Sequence, residues 1–167
     1  PLLIAALLAA LNHRAPRWFA NGLAILTSLT VCCVAISMLV YTRDDTIVVY
    51  WFGGWLPRGN APFGIGFVID QAGAMLVLLS GVLVTAGLIF SSRYFDTVGT
   101  LYHALMLIFL AAAGGFSQTG DLFNLFVFFE LMSTAAYVLC GYKSEEPGPL
   151  QGALNFAVTN TIGAFLV

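Results

Sequence analysis

Long apolar runs, separated by short stretches of polar and turn-forming residues, dominate the order of residues along this chain. A helical run of about 20 residues matches the ~30 Å hydrocarbon core of a bilayer. The pattern therefore predicts an all-α, polytopic transmembrane bundle of about six spans. The predicted spans are Pro1–Leu11, Trp18–Tyr41, Val68–Ser91, Thr100–Gln118, Asp121–Tyr142 and an incomplete one that starts near Pro149.

One stretch between the second and third spans departs from this pattern. Thr46–Phe52 is β-branched and aromatic, and Phe63–Ile69 alternates small or branched residues with larger apolar ones. Gly53, Gly54 and the segment Pro57–Pro62 lie between them and favour a turn. The sequence predicts a short extramembrane β-hairpin here.

Composition supports a membrane protein. Of 167 residues, 60% are hydrophobic and only 8% are charged, against about 25% charged residues in ordinary soluble domains. The net charge of −2 rests on too few ionised groups to indicate a nucleic-acid partner. We expect residues 1–167 to form the N-terminal fragment of a single transmembrane domain.

The basic residues predict the orientation in the membrane. The first, third and fifth connections hold more of them than the second and fourth do. They are Arg14, Arg17, Arg93 and Lys143 on one side, and Arg43 and Arg58 on the other. The positive-inside rule then places the odd connections in the cytoplasm and the hairpin outside, in a multi-pass protein of the cell membrane.

Glu130 is the most unusual residue of the chain. It lies inside the apolar run 120–142, where the other formal charge is Asp121 at the edge. Burial of an ionised carboxylate in hydrocarbon costs several kcal/mol unless the group is compensated or protonated. Ser133, Thr134 and Tyr137 follow at i+3, i+4 and i+7, on the same helical face. We predict that Glu130 relays protons and that these three side chains support it by hydrogen bonds.

Two other interpretations of Glu130 stay open. A permanently protonated Glu130 would hydrogen-bond a neighbouring helix and only orient the bundle. Direct coordination of a cation such as Na⁺ would need several convergent oxygens, of which Ser133 and Thr134 supply two. Intramembrane carboxylates commonly mark ion or proton routes, which favours the relay.

Other polar residues are candidates for a pathway or for packing. Gln151, Asn155 and Thr159 recur at i, i+4 and i+8 on the sixth segment, where they can hold water or bond across helices. His103 lies about one turn into the fourth span, and its imidazole titrates near neutral pH. A structural role and a pathway role remain open for Asn155 and His103.

The remaining reactive side chains predict no catalytic site. Asp70 and Asp121 precede helices and are expected to cap them. Cys32, Cys33 and Cys140 lack the spacing of zinc, iron–sulfur or redox sites. We therefore predict no metal site, no cofactor and no enzymatic chemistry within this chain.

The stretch GDLFNLFVFFELMSTAAYVLCGY, residues 120–142, resembles the glutamate-bearing helix of the proton-conducting antiporter-like family. This family contains the D and A subunits of Mrp-type sodium/proton antiporters, the antiporter-like subunits of respiratory complex I, and matching subunits of membrane-bound hydrogenases. The stretch NAPFGIGFVIDQAGAM, residues 60–75, and the place of Glu130 on the fifth span are also similar. The similarity is greatest to the Mrp D subunit.

The resemblance implies a larger membrane subunit, of which this chain is the first third to half. In that family the carboxylate that matches Glu130 pairs with a lysine on the seventh helix, and further lysines carry protons onward. Family members commonly have a lysine near the start of the sixth helix, where this sequence has Asn155.

The first functional hypothesis is a proton-translocating subunit of a multisubunit monovalent cation/proton antiporter, with protons, Na⁺, the lipid bilayer and other membrane subunits as partners. The alternative is a proton-pumping membrane subunit of complex I or of an energy-converting hydrogenase. Because the chain carries no haem, flavin, quinone or iron–sulfur motif, electron chemistry would then belong to other subunits. A scaffolding role would explain the small packing residues but not the buried carboxylate.

Overall fold

The computed structural model describes residues 1–11, 16–44, 46–54, 64–94, 99–143 and 145–166. The helices and strands follow one another in the order α1 (Leu2–Ala10), α2 (Arg17–Tyr41), β1 (Val48–Trp51), β2 (Gly66–Ile69), α3 (Gln71–Tyr94), α4 (Thr100–Gln118), α5 (Leu122–Cys140) and α6 (Pro147–Ala164). A single 3₁₀ turn, Phe52–Gly54, follows β1.

Within the described ranges, four helices, α2 to α5, are long and apolar enough to cross a membrane. The chain is therefore a multi-pass membrane protein. The nine residues of α1 extend only about 14 Å, less than the ~30 Å hydrocarbon core. Helix α6 is continuous, but polar residues such as Gln151 and Asn155 interrupt its apolar sequence. The prediction of about six spans is thus supported for four of them.

The two predicted strands form an antiparallel pair. Val48 pairs with Ile69, and Trp51 pairs with Gly66. The predicted hairpin is confirmed in its paired residues, whereas the segment Pro57–Pro62, together with Arg14, lies outside the described residues.

The predicted start of the third span is wrong. Val68, placed in that span, belongs to strand β2, and the helix begins only at Gln71. Asp70 follows the strand and caps the helix, because its Oδ1 accepts a hydrogen bond of 2.7 Å from the Gly73 N–H. An apolar run alone does not mark where a strand ends and a helix begins.

Strand β2 also holds the connection between α4 and α5. The Gly120 N–H donates to the Gly66 carbonyl at 2.8 Å, and Phe67 forms a bridge with Thr119. The rings of Phe67 and Phe128 lie 6.1 Å apart. The hairpin thereby fixes the start of the helix that carries Glu130.

Small and apolar residues fill the core between the first four helices. Ala24, Leu88 and Ala104 belong to one buried cluster. Within the packed interface between α2 and α3, Thr85 donates a buried hydrogen bond of 2.9 Å to Ser28. Close approach of backbones at small residues is the packing that the sequence predicts for these spans.

Gly115 offers a test of the α4–α5 packing. A Cβ atom at Gly115 would overlap the ring of Phe128, whereas a Cβ at Gly114 would meet nothing within 4 Å. Overpacking of this kind typically costs about 1–3 kcal/mol. We expect Gly115→Ala to lower the melting temperature of the complete, detergent-solubilised protein, and the matched Gly114→Ala to leave it unchanged or slightly higher. Equal melting temperatures for the two variants would contradict this packing of α4 against α5.

Candidate functional site

Glu130 lies near the midpoint of α5, about 14 Å along the helix from Asp121. The residue is half-buried, and its Oε1 atom is buried without a hydrogen-bond partner. A buried acceptor that lacks a donor typically costs about 1–3 kcal/mol. Near its midpoint, α5 therefore carries a half-buried carboxyl group whose Oε1 finds no hydrogen-bond partner among the described residues.

The start of α5 is fixed by its cap. Asp121 Oδ1 accepts from the Asn124 N–H, and its Oδ2 accepts from the Asn124 side-chain amide, each at 2.7 Å. Both Asp70 and Asp121 thus act as the predicted caps. Because α5 contains neither glycine nor proline, the helix continues from this cap through Glu130 without interruption.

Contacts between α5 and α6 set the register of this antiparallel pair. Tyr137 packs edge-on against Phe156 with ring centroids 6.4 Å apart. About one turn nearer the hairpin end, the Ser133 hydroxyl donates to Asn160 Oδ1 at 3.3 Å. Ser133 therefore points into the interface between α5 and α6. In agreement with this position, only 4% of its surface is exposed.

The register between α5 and α6 also places a glycine at the level of Glu130. Because Ser133 pairs with Asn160, Gly163 lies level with Glu130 along the antiparallel pair. Gly163 is exposed, and a Cβ atom there would meet no described atom within 4 Å.

Asn160 is the residue of this site that the sequence prediction missed. Its Oδ1 accepts from Ser133, while its Nδ2 atom is buried without a partner. Asn160 therefore offers an unused donor on α6, about one turn from the level of Glu130 on α5. The signal in the sequence was weak, because Asn160 follows directly after Thr159, which belongs to the predicted polar line.

The predicted polar line itself does not face α5. Gln151, Asn155 and Thr159 are exposed on α6. The structure consequently does not bring Asn155 to Glu130.

Thr134 and Tyr137 pair with each other. The Tyr137 hydroxyl donates to Thr134 Oγ1 at 3.1 Å in an exposed position. Of the three side chains predicted to support Glu130, Ser133 turns into the interface with α6 and the other two form a separate pair.

His103 lies in another part of the bundle. It is buried on α4, with Nδ1 3.2 Å from the Gly99 carbonyl oxygen and its ring edge-on to Tyr102. Since α4 and α5 are antiparallel and Tyr102 packs against Tyr142, His103 lies about 16 Å from Glu130 along the bundle axis.

Known proteins that are similar to this chain carry the names of antiporter subunits. The D-type component of a probable K(+)/H(+) antiporter of Rhizobium meliloti is 32% identical over 173 residues, which covers 99% of this chain and 31% of the relative. The putative antiporter component mnhD2 of Staphylococcus epidermidis is 32% identical over 149 residues, which covers 87% of this chain and 28% of the relative. The chain spans about a third of the length of these relatives. No family model matches it.

Solved membrane complexes contain the same fold. A chain of the archaeal membrane-bound sulfane sulfur reductase matches with a TM-score of 0.87 and 25% identity, covering 98% of this chain and 33% of that one. A chain of the Mrp complex from Dietzia sp. DQ12-45-1b matches with a TM-score of 0.76 and 28% identity. The match covers 84% of this chain and 25% of that one. Relatives and folds agree with the resemblance carried by residues 120–142, and the chain belongs to the family of antiporter-like membrane subunits.

Proposed function

We propose that this chain is the N-terminal part of a proton-translocating subunit in a multisubunit monovalent cation/proton antiporter of the cell membrane. The observation that carries the proposal is the buried, unpartnered Oε1 of Glu130 near the midpoint of an apolar helix. The antiporter names of the relatives support it. In this proposal α1 and α6 also take part in the membrane domain, and other membrane subunits assemble around it.

Glu130 would act by alternating between its protonated and ionised forms. In the protonated form the carboxyl group is neutral and tolerates the apolar surroundings. A cation that approaches the carboxyl group stabilises the ionised form, so the proton passes to water. When the cation leaves, the isolated carboxylate is again unfavourable and takes up a proton. The proton and the metal cation thus compete for the same carboxylate. Because the arrival of one releases the other, the two are exchanged.

Asn160 and Ser133 would position the carboxyl group during this exchange. The unpartnered Nδ2 of Asn160 lies about one turn from the level of Glu130 and would donate to Glu130 Oε1 during the exchange. Ser133 holds the Asn160 amide from the other side through its hydrogen bond. A donor aimed at the carboxylate favours its ionised form, which balances part of the cost of burial.

The other predicted residues have lesser roles in this proposal. Thr134 and Tyr137 adjust the shape of α5 beside the site through their mutual bond. Asn155 and His103 stay outside the exchange step at Glu130, because Asn155 is exposed and His103 lies at another level of the bundle.

A second candidate is the proton-translocating membrane subunit of a redox-driven complex. The match to the membrane-bound sulfane sulfur reductase, which covers 98% of this chain, favours it. The same carboxyl group would then be driven by electron transfer in other subunits rather than by a cation gradient.

Transport without an electron donor separates the two candidates. The complete protein, in its complex, is incorporated into vesicles with an imposed pH gradient, and Na⁺ or K⁺ is added while a fluorescent dye reports the gradient. We expect either cation to dissipate the gradient, and choline, as the matched control, to leave it in place. Proton movement that requires an added electron donor would instead support the redox-driven complex.

A further inference from the structure

Two more buried polar atoms without partners lie at the end of the bundle opposite the hairpin. They are Asn21 Oδ1, near the start of α2, and His103 Nε2, near the start of α4. His103 is 5% exposed. Neither atom belongs to the group around Glu130.

Asn21 and His103 lie at nearly the same level of the bundle. Helices α2 and α4 are parallel, and the Gln118 side-chain amide contacts Met38 Sδ at 3.1 Å, which fixes their register. Counted back from this contact, Asn21 lies two residues further along α2 than His103 lies along α4. The two residues therefore differ by about 3 Å in position along the bundle axis.

The side chain of Asn21 faces α3. Two turns further along α2, on the same face, Ser28 accepts the buried hydrogen bond from Thr85 of α3. The antiparallel register set by this bond continues to the last turns of α3, which therefore lie beside Asn21.

His103 faces the same part of α3. Met106, one turn later on α4, packs over Gly87 of α3. The buried Ser91, one turn beyond Gly87, exposes only 2% of its surface and directs its hydroxyl to the Leu88 carbonyl. The registers of the three helices thus place Asn21, Ser91 and His103 at a similar level of α2, α3 and α4.

The hydrogen-bonding roles of the two unpartnered atoms are the same. Because His103 Nδ1 faces the Gly99 carbonyl, which only accepts, Nδ1 carries the hydrogen in the neutral ring. Nε2 is then an acceptor, and Asn21 Oδ1 is an acceptor as well. Because two acceptors cannot bond each other, each of these atoms needs a donor. One molecule with two hydrogens to donate would satisfy both atoms.

We propose that a single buried water molecule occupies the junction of α2, α3 and α4 and donates one hydrogen to Asn21 Oδ1 and the other to His103 Nε2. Buried waters typically satisfy groups of this kind with about three hydrogen bonds. The Ser91 hydroxyl hydrogen is directed to the Leu88 carbonyl, so Ser91 adds no third bond to a water that donates both of its hydrogens. The junction is thus a second polar site of the bundle, about 16 Å from Glu130 along the axis.

Solid-state NMR of the complete protein in its complex, labelled with ¹⁵N-histidine, tests this site. The His103 signals are assigned through the backbone of its neighbours Tyr102 and Ala104 in a second, uniformly ¹³C,¹⁵N-labelled sample, so no variant is needed. We expect an unprotonated Nε2 that correlates with water protons. A protonated Nε2, or a correlation from Nε2 to the Asn21 amide protons in place of water, would overturn the proposal, and this spectrum of the unmodified protein decides it even if a variant fails to fold.

A pair of variants on α2 tests the part played by Asn21. We expect Asn21→Leu to remove the water correlation of His103 Nε2, because the water loses one of its two acceptors. The matched control is Thr30→Val, whose exposed hydroxyl bonds the Leu26 carbonyl of its own helix, and which should leave the correlation intact. An unchanged correlation in Asn21→Leu would show that the water does not bridge these two residues.

Discussion

Glu130→Gln is expected to abolish proton-coupled cation transport by the complete protein while leaving its assembly intact. Glutamine has nearly the same shape and keeps a side-chain oxygen as an acceptor, but it cannot release and regain a proton. Removal of a positioned acid–base group typically costs about 100-fold or more in rate. The loss should therefore be close to complete in the vesicle assay, since the proposed exchange has no other described carboxyl group near the midpoint of α5.

Glu145→Gln provides the matched control, because it removes the same charge from an exposed position in the connection to α6. This variant should transport at the rate of the unmodified protein, and native gel electrophoresis should show both variants in the complex. Normal transport by Glu130→Gln would refute the proton relay. An equal loss in Glu145→Gln would show that net charge matters rather than the buried site.

The membrane helices were largely predictable, because a span must be long and apolar whatever it packs against. The predicted bounds Thr100–Gln118 coincide with those of α4. The start of α3 was not predictable in the same way. The alternating pattern of Phe63–Ile69 indicated the strand in which Val68 pairs with Val49. Val68 and Ile69 also fit the apolar run of the third span, so the pattern did not separate the strand from the helix.

The candidate site was predictable along one helix but not between two. The helical period placed Ser133 on the same side of α5 as Glu130, one turn away. It could not give the rotation of α6, which is set by tertiary contacts such as that between Tyr137 and Phe156. Asn155 therefore appeared the better candidate, although it is Asn160 that reaches α5.

Asn160→Leu is expected to slow transport by about 10-fold or more without abolishing it. A hydrogen bond to a charged group is typically worth about 1.5–3 kcal/mol, and leucine supplies no donor for the buried Glu130 Oε1. In the proposed exchange Asn160 Nδ2 donates to the Glu130 carbonyl oxygen and leucine cannot, so the infrared C=O stretch of protonated Glu130, identified by its absence in Glu130→Gln, should move to higher frequency. A purely structural role of Asn160 would not move this band.

Asn155→Leu is the matched comparison, since it makes the same substitution on an exposed face of the same helix. We expect it to slow transport less than Asn160→Leu does and to leave the Glu130 band in place. A larger loss in Asn155→Leu, with the band unmoved in Asn160→Leu, would mean that α6 serves transport through its exposed polar line. The Ser133–Asn160 bond would then only join two helices, and the carboxyl group would take its donor from elsewhere.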